Sequence, residues 1–315
     1  MLYNEFMEKY LTVILGSSVD IFYRLDSYPE EGDFSHGTEV GISAGGCPLN
    51  VGCIASSRGA AVKSLDYLKK DDQATEIIVK ALKDNGVDTS NIIYADDCTD
   101  GKVVIANTGD KRTMFVIDPI RPPYVITDEI RELLYNSTYI YSLMHMVKRS
   151  FKDTGVLKLA RKHGAKMIFD GSSKYDDPSR ANMLLELADG LFINEHDYAS
   201  LAAVLGKDPS GELFERGCEF VCITSGSNKA RCLTPEREYS CQSLHLDEIV
   251  DSTGAGDSFA ASFLYGRLMG YDYKKCLKIA VAGGAYACLY IGGLGGCCSM
   301  KELTAFAKEH GMNIE

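Results

Sequence analysis

The stretch Asp251-Ser252-Thr253-Gly254-Ala255-Gly256-Asp257 decides how the rest of the chain is read. Three residues with almost no side chain stand ahead of an apolar run that contains Phe259, Phe263, Leu264 and Leu268 and closes at Gly270. That spacing is helical, and a glycine just past the run is a common helix stop. Gly254, Ala255 and Gly256 therefore sit at a helix N-terminus, where N–H groups lack intrahelical acceptors. With so little side chain in the way, an anion reaches those groups, and Asp257 stands in the first turn beside it. A phosphoryl group in transfer spreads negative charge over its equatorial oxygens, which fixed N–H donors stabilise. A neighbouring carboxylate can take the proton of an attacking hydroxyl. The competing reading is a plain cap, since Asp and Ser often precede helices and glycine eases tight turns. The stretch is neither a P-loop nor a dinucleotide fingerprint: it has no Gly-Lys-Ser/Thr ending, and no G-x-G-x-x-G follows the first strand.

Working outward, residues 243–250 read as a strand leading into this turn. At the other end, residues 11–15 read as a buried strand ending at Gly16. Residues 26–41 are rich in turn formers. Gly45-Gly46 opens a helix with Pro48 in its first turn and Gly59 past its end, the favoured placement of those two residues. Residues 71–84 have the 3.6 period, with Ile77, Ile78, Ala81 and Leu82 on one face and Gly86 as the stop. Residues 102–117 read as two strands about the turn Thr108-Gly109-Asp110. Apolar strands at 139–141, 167–169, 190–193 and 220–223 then alternate with helical stretches, which implies a parallel sheet covered on both faces. The expectation is one α/β domain over residues 1–315: three layers, a central mostly parallel sheet, and a small β lid from about 21–44 and 100–117.

Composition narrows the function. Of 315 residues, 45% are hydrophobic and 24% charged, an ordinary globular balance. The net charge of −11 argues against nucleic acid or an anionic membrane surface as partner. The eleven cysteines are odd in number and lack C-x-x-C spacing, and the histidines form no H-x-x-x-H pair. They read as reduced, mostly buried residues of a cytoplasmic protein rather than a disulfide framework or zinc site. No signal peptide or membrane-spanning run is legible.

With Gly45-Gly46-Cys47-Pro48-Leu49-Asn50 at one end and the Asp251–Asp257 turn at the other, the sequence resembles the ribokinase-like (PfkB) family of carbohydrate kinases, over nearly the whole chain. The first segment is similar to the family's G-G-x-x-x-N and the second to its D-x-T-G-A-G-D. The resemblance implies a ribokinase-like fold and ATP-dependent transfer of phosphate to a sugar hydroxyl. It implies Asp257 as base, with Gly254, Ala255 and Gly256 as the anion hole. It implies that Asp20, Gly45, Gly46, Cys47 and Asn50 meet the substrate, which suits side chains that accept from, or donate to, hydroxyls. Taken alone, Asp20 also reads as a loop cap and Asn50 as a buried structural amide. Asn194 and Asp197 stand where the family organises Mg²⁺ and phosphates, with Asp197 in place of a glutamate and Glu195 as the alternative carboxylate. Thr224 and Gly226 resemble the nucleotide-contacting strand end, with Lys229 where the family often has glycine. Asp251, Thr253, Gly295 and Ser299 resemble a site for a monovalent cation, K⁺. The run 280–287 is expected to line the adenine side or to pack closely as a helix. The lids of many relatives pair, so a homodimer is implied.

The substrate is less sharply marked. Members acting on phosphorylated sugars often carry lysine after the paired glycines, whereas Cys47 does not neutralise a phosphate. Gly171-Ser172-Ser173 lacks the arginine of sugar-acid kinases, although Lys174 follows. An unphosphorylated sugar is expected, with a nucleoside kinase as the alternative within the class and a non-catalytic sugar-binding regulator as the alternative outside it. Lys102, Lys111 and Arg112 on the hairpin could reach substrate, with a solvated face as the default reading.

Overall fold

The computed structural model describes residues 9–14, 16–109, 111–171 and 178–315. Leu15 and Asp110, and Ser172, Ser173 and Lys174, which bear on the expectations above, lie outside the described residues. The N-terminal half contains β1 (Tyr10–Ile14), β2 (Ser18–Leu25), β3 (Gly37–Gly45), α1 (Cys47–Ser57), β4 (Ala61–Leu65), β5 (Tyr67–Lys69), α2 (Gln73–Asp84), β6 (Ile93–Ala95), β7 (Gly101–Thr108) and β8 (Lys111–Ile117). There follow α3 (Asp128–Tyr135), β9 (Tyr139–Leu143), α4 (Met144–Ser150), α5 (Gly155–Lys162), β10 (Lys166–Asp170), α6 (Pro178–Leu187), β11 (Gly190–Asn194), α7 (Glu195–Leu205) and α8 (Pro209–Glu215). The chain closes with β12 (Phe220–Thr224), β13 (Ala230–Leu233), β14 (Glu238–Cys241), α9 (Ala255–Leu268), α10 (Tyr273–Ala287) and α11 (Met300–Glu309).

Eight strands form the central sheet in the order β14-β13-β12-β11-β10-β9-β1-β4. Pairing from β12 to β4 is parallel, and β13 and β14 add an antiparallel edge. Successive side chains of a strand point to opposite faces, and here both faces are packed. Leu11, Val13, Ile168 and Phe192 belong to one core, with α1, α2, α9 and α10. Tyr10, Ile14, Met167, Phe169, Leu191 and Ile193 belong to the other, with the helices from α3 to α8. This explains why the strands read as continuous apolar runs. The eleven cysteines are unbridged, and seven of them are buried. Among the described residues, no helix is long and apolar enough to cross a membrane.

A separate four-stranded sheet, β3-β2-β7-β8, is built from the segments expected to form the small β unit. Its hairpin β7–β8 pairs from Lys102↔Ile117 to Thr108↔Lys111, as the run 102–117 implies. One expectation fails. Residues 243–250 form no strand. β14 is the last strand of the central sheet, and residues 243–250 do not extend it. Val250 N–H instead donates to Cys288 O at 2.9 Å, while Ile249 and Val250 stay more than half exposed. The segment is a connector from the sheet edge to α9.

Candidate active site

Ring contacts set the direction of α9. Phe259, near its start, packs edge-on to Phe192 of β11, and Phe263, a turn later, packs at 4.9 Å on Phe220, the first residue of β12. α9 therefore runs down the sheet, and its N-terminus lies at the carboxyl ends of the strands, where ligands of open α/β sheets bind. Gly254 precedes the helix in a left-handed conformation (φ 75°) and no side chain caps it. A Cβ on Gly254 would come within 2.6 Å of Gly293 O, so only glycine lets these backbones meet. The N–H of Ala255 turns inward to Ser252 O at 3.3 Å. Among the described residues, the N–H groups of Gly254, Gly256 and Asp257 have no protein acceptor, so Ala255 is the weakest member of the expected anion hole. Around Gly256 the space is open: nothing lies within 4 Å of where its Cβ would stand. That space leaves room for an anion, and no side chain caps the helix as the plain-cap reading would have it.

The sugar side is built from the start of α1 and the end of β2. Gly45 closes β3 and Gly46 is the N-cap of α1. A Cβ on Gly45 would stand 2.2 Å from the Asp20 carboxylate, so the missing side chain is the space Asp20 occupies. Asp20 is buried and also accepts from the Ser18 hydroxyl at 3.2 Å. One turn into α1, Asn50 donates from Nδ2 to Asp257 Oδ2 at 2.7 Å. Its Oδ1 is buried without a protein partner, an unmet acceptor of the kind a ligand hydroxyl satisfies. Cys47, the first residue of α1, lies 3.1 Å from the Tyr141 hydroxyl and 3.8 Å from Asp170 Oδ2. Tyr141 donates to the same Asp170 oxygen at 3.3 Å. Asn50, Cys47 and Asp257 thus lie together, and the charge of Asp20 bears on Asp257.

Among the described residues, the charges that bear on Asp257 and Cys47 are acidic. Burial raises the Asp257 carboxyl to about 6; hydrogen bonds from Cys47 and Asn50 oppose the rise, and Asp170 and Asp20 add to it. Asp20 is likewise raised to about 6 by burial, against the Ser18 hydrogen bond. The Cys47 thiol is pushed well up, first by burial and then by Asp257 and Asp170, so it is neutral. Carboxylates held near 6 are poised to exchange protons near neutral pH.

The expected nucleotide side forms at the ends of β11 and β12. Asn194 caps α7: its Oδ1 accepts from Asp197 N–H at 2.8 Å, while its Nδ2 donates to Asp197 Oδ2 at 2.7 Å. Thr224 pairs with Asn194 across the two strands. Ser225 donates to Glu195 Oε2 at 2.5 Å, so both candidate carboxylates are present, each held by a neighbour. Gly226 lies in a turn (φ 53°) to which Ser243 is bonded. These hard oxygen donors suit Mg²⁺, which keeps several of its waters.

The set expected for K⁺ is not assembled. Asp251 Oδ1 accepts from Thr253 N–H and hydroxyl at 2.9 and 2.7 Å, and Oδ2 from Gly292 N–H at 3.0 Å. Arg112 of β8 reaches the same Asp251 oxygen at 3.3 Å and also bonds the Thr253 hydroxyl. A guanidinium already stands at Asp251 and Thr253. Ser299 is spent on the capping box of α11 with Glu302, and Gly295 turns back on Gly292. These residues do not fit a resident monovalent cation, and Arg112 is not the solvated charge the hairpin implied. Sequence reading also missed Tyr141 and Asp170; the only signal was their position in or at the end of expected strands.

Helix-terminal N–H groups beside a raised carboxylate, with Asn50 bonded to that carboxylate, thus stand together in an α/β architecture. The chain belongs to the pfkB family of carbohydrate kinases, whose model matches residues 11–297. It is 23% identical to the ribokinase of Arabidopsis thaliana over 305 residues, covering 90% of this chain and 76% of that one. To the bifunctional ribokinase/ribose-5-phosphate isomerase A of Fructilactobacillus sanfranciscensis it is 24% identical over 264 residues, 81% of this chain but only 48% of that protein. In structure it is similar to Arabidopsis ribokinase complexed with ribose and ATP (TM-score 0.82, 21% identity, 96% of this chain and 99% of that one). It is also similar to the nucleoside kinase of Methanocaldococcus jannaschii (TM-score 0.79, 18% identity, 96% and 99%).

Proposed function

We propose that this chain moves the γ-phosphate of ATP onto a hydroxyl of an unphosphorylated sugar, with Asp257 as the base. The observation that carries the reading is Asp257 itself, set between bare helix-terminal N–H groups and the Asp20–Asn50 floor. Asp20 and Asn50 hold the sugar. Asp257 accepts the proton of the reacting hydroxyl as its oxygen bonds to the γ-phosphorus, and the bond from that phosphorus to the leaving ADP oxygen breaks. The N–H groups of Gly254, Gly256 and Asp257 meet the charge on the transferring group. Asn194, Asp197 and Glu195 would hold Mg²⁺, which when bound neutralises phosphate charge.

The preference for an uncharged sugar rests on electrostatics. Among the described residues, the charges bearing on Asp257 are Asp170 and Asp20, and those bearing on Cys47 are Asp257 and Asp170, all acidic. A phosphate or carboxylate on the substrate would meet like charge in a partly desolvated cleft. With Mg·ATP and a panel of neutral sugars, sugar phosphates, sugar acids and nucleosides, ADP release is expected from a neutral sugar. Its phosphate ester should be at least about tenfold poorer in kcat/KM, a difference of ~1.4 kcal/mol. Preference for the ester would overturn the electrostatic argument. Turnover of a nucleoside alone would make the chain a nucleoside kinase, and sugar binding without ADP would make it a binding protein.

The small sheet β3-β2-β7-β8 serves as the lid, since Asp20 lies on its β2. Its edges β3 and β8 have no further strand beyond them, and Ile42 and Phe115, in the row through Ile21 and Val104 opposite Asp20's face, are each 45% exposed. An open edge with an apolar face supports pairing of two lids into a homodimer. Light scattering should give twice the chain mass, reduced by Phe115→Lys. A monomer at micromolar concentration would end this part of the proposal.

A further inference from the structure

Arg112 lies opposite Asn107 on the outer strand of the small sheet. Asp20, Val103 and Val116 form one cross-strand row, and residues two apart on a strand share a face. Arg112 and Val116 are four apart on β8, so Arg112 lies on the face that carries Asp20. From there it bonds Asp251 and Thr253, four and two residues ahead of α9. Asp251 in turn fixes the next segment through Gly292 N–H. Gly293 packs on Gly254 on one side and on Asn50 on the other: a Cβ on Gly293 would stand 2.4 Å from Asn50 Nδ2, the atom that donates to Asp257. The contacts run unbroken from the outermost lid strand to the base.

We propose that Arg112 is a positioning residue, a latch that ties the lid to the turn carrying the anion hole. The lid thereby closes over the sugar in step with the setting of residues 251–257. The side chains of the pair are 36% and 17% exposed, and an ion pair so placed adds little to the stability of a fold. Its leverage lies elsewhere. A contact made in only one of two arrangements biases the balance between them by its whole free energy, and this one joins two separate sheets' worth of structure across the cleft. Thr253 and Asp251 also remain bonded to each other without Arg112, so removing the arginine opens the latch without unfolding the turn. The catalytic consequence rests on the kinase reading; the latch itself does not.

The test uses Arg112→Ala, Arg112→Lys, Asp251→Asn and the Arg112→Ala/Asp251→Asn double variant of the full chain. Hydrogen exchange of residues 101–117 in the ligand-free protein should quicken by roughly fivefold in Arg112→Ala, the upper end for a half-exposed pair, with the melting temperature unchanged. kcat/KM for the sugar should fall by a similar factor. Millimolar guanidinium should restore part of that loss where equal NaCl does not, and lysine should be intermediate. The double variant should be no worse than Asp251→Asn alone. Unchanged exchange in Arg112→Ala, or losses that add in the double variant, would overturn the latch. If the wild type transfers no phosphate at all, the exchange measurement still decides the latch, and only the kinase reading fails.

Discussion

Asp257→Asn lowers kcat by at least about 10²-fold, the usual scale for losing a general base, and leaves sugar affinity nearly unchanged. The affinity survives because asparagine keeps an oxygen to accept from Asn50 Nδ2, which donates to Asp257 at 2.7 Å, and because Asp20 still holds the sugar. The rate falls because an amide cannot take the hydroxyl proton. The pH profile carries an independent check. Burial holds both Asp257 and Asp20 near 6, and each acts as an acceptor only when ionised. kcat/KM therefore rises as pH climbs through about 6 and levels off above it, with an acid limb steeper than one proton. The asparagine variant should keep a one-proton limb from Asp20. Stability follows the opposite sign. A carboxyl raised above its ordinary value favours the fold while protonated, and that contribution is lost as pH rises through about 6. Above that pH the variant should melt no lower than the wild type. Steady-state kinetics with calorimetric sugar binding measure all of this. Equal turnover in the two proteins would remove Asp257 from the mechanism, and a flat profile between about pH 5 and 7 would remove the ionisation argument.

What could be read from sequence followed from how local each signal is. The helix after Gly256, the Pro48 helix and the strands of the parallel sheet are announced within a few residues, because periodicity, caps and stops are short-range properties. The same holds for the hairpin β7–β8, whose turn contains Gly109. Of the candidate site residues, Asn50 was legible only through a signature, Asp257 through a signature and the helix start, and Asp20 only through the family resemblance; nothing local brings positions 50 and 257 within a hydrogen bond. Residues 243–250 misled because Leu244, Leu246 and Val250 alternate like a strand, while Val250 bonds Cys288 at the end of α10 instead of a strand. The hairpin β13–β14, which precedes them, carries short and partly polar strands and was missed. Arg112, Tyr141 and Asp170 were missed as site residues for the opposite reason. Each looks ordinary on its own strand and gains a role only from a partner on another part of the chain: Asp251, ahead of α9, for Arg112, and Cys47, at the start of α1, for the other two.

The anion hole makes the sharpest demand on a single atom. Gly256→Val abolishes phosphoryl transfer, by about 10²-fold or more, the scale of losing one oxyanion donor, while the protein keeps its melting temperature. Both halves follow from the same observation. Nothing lies within 4 Å of a Cβ placed on Gly256, so the branched side chain meets no protein atom, and a glycine replaced inside a helix gains rather than loses helix propensity. The open space it fills is where the transferring group must approach the bare N–H groups. Gly254 is the matched contrast. Its Cβ would fall 2.6 Å from Gly293 O at a φ of 75°, and the left-handed backbone alone costs an alanine ~1–2 kcal/mol. Gly254→Ala should therefore lower the melting temperature by several degrees, at about 2–4 °C per kcal/mol for a chain of this size, and should lower activity only as a consequence. Differential scanning calorimetry beside ADP-release kinetics separates the two. If Gly256→Val turns over normally, the phosphate does not pass over this turn. If Gly254→Ala melts with the wild type, the close packing of the turn on residue 293 is wrong, and with it the path by which Asp251 supports the base.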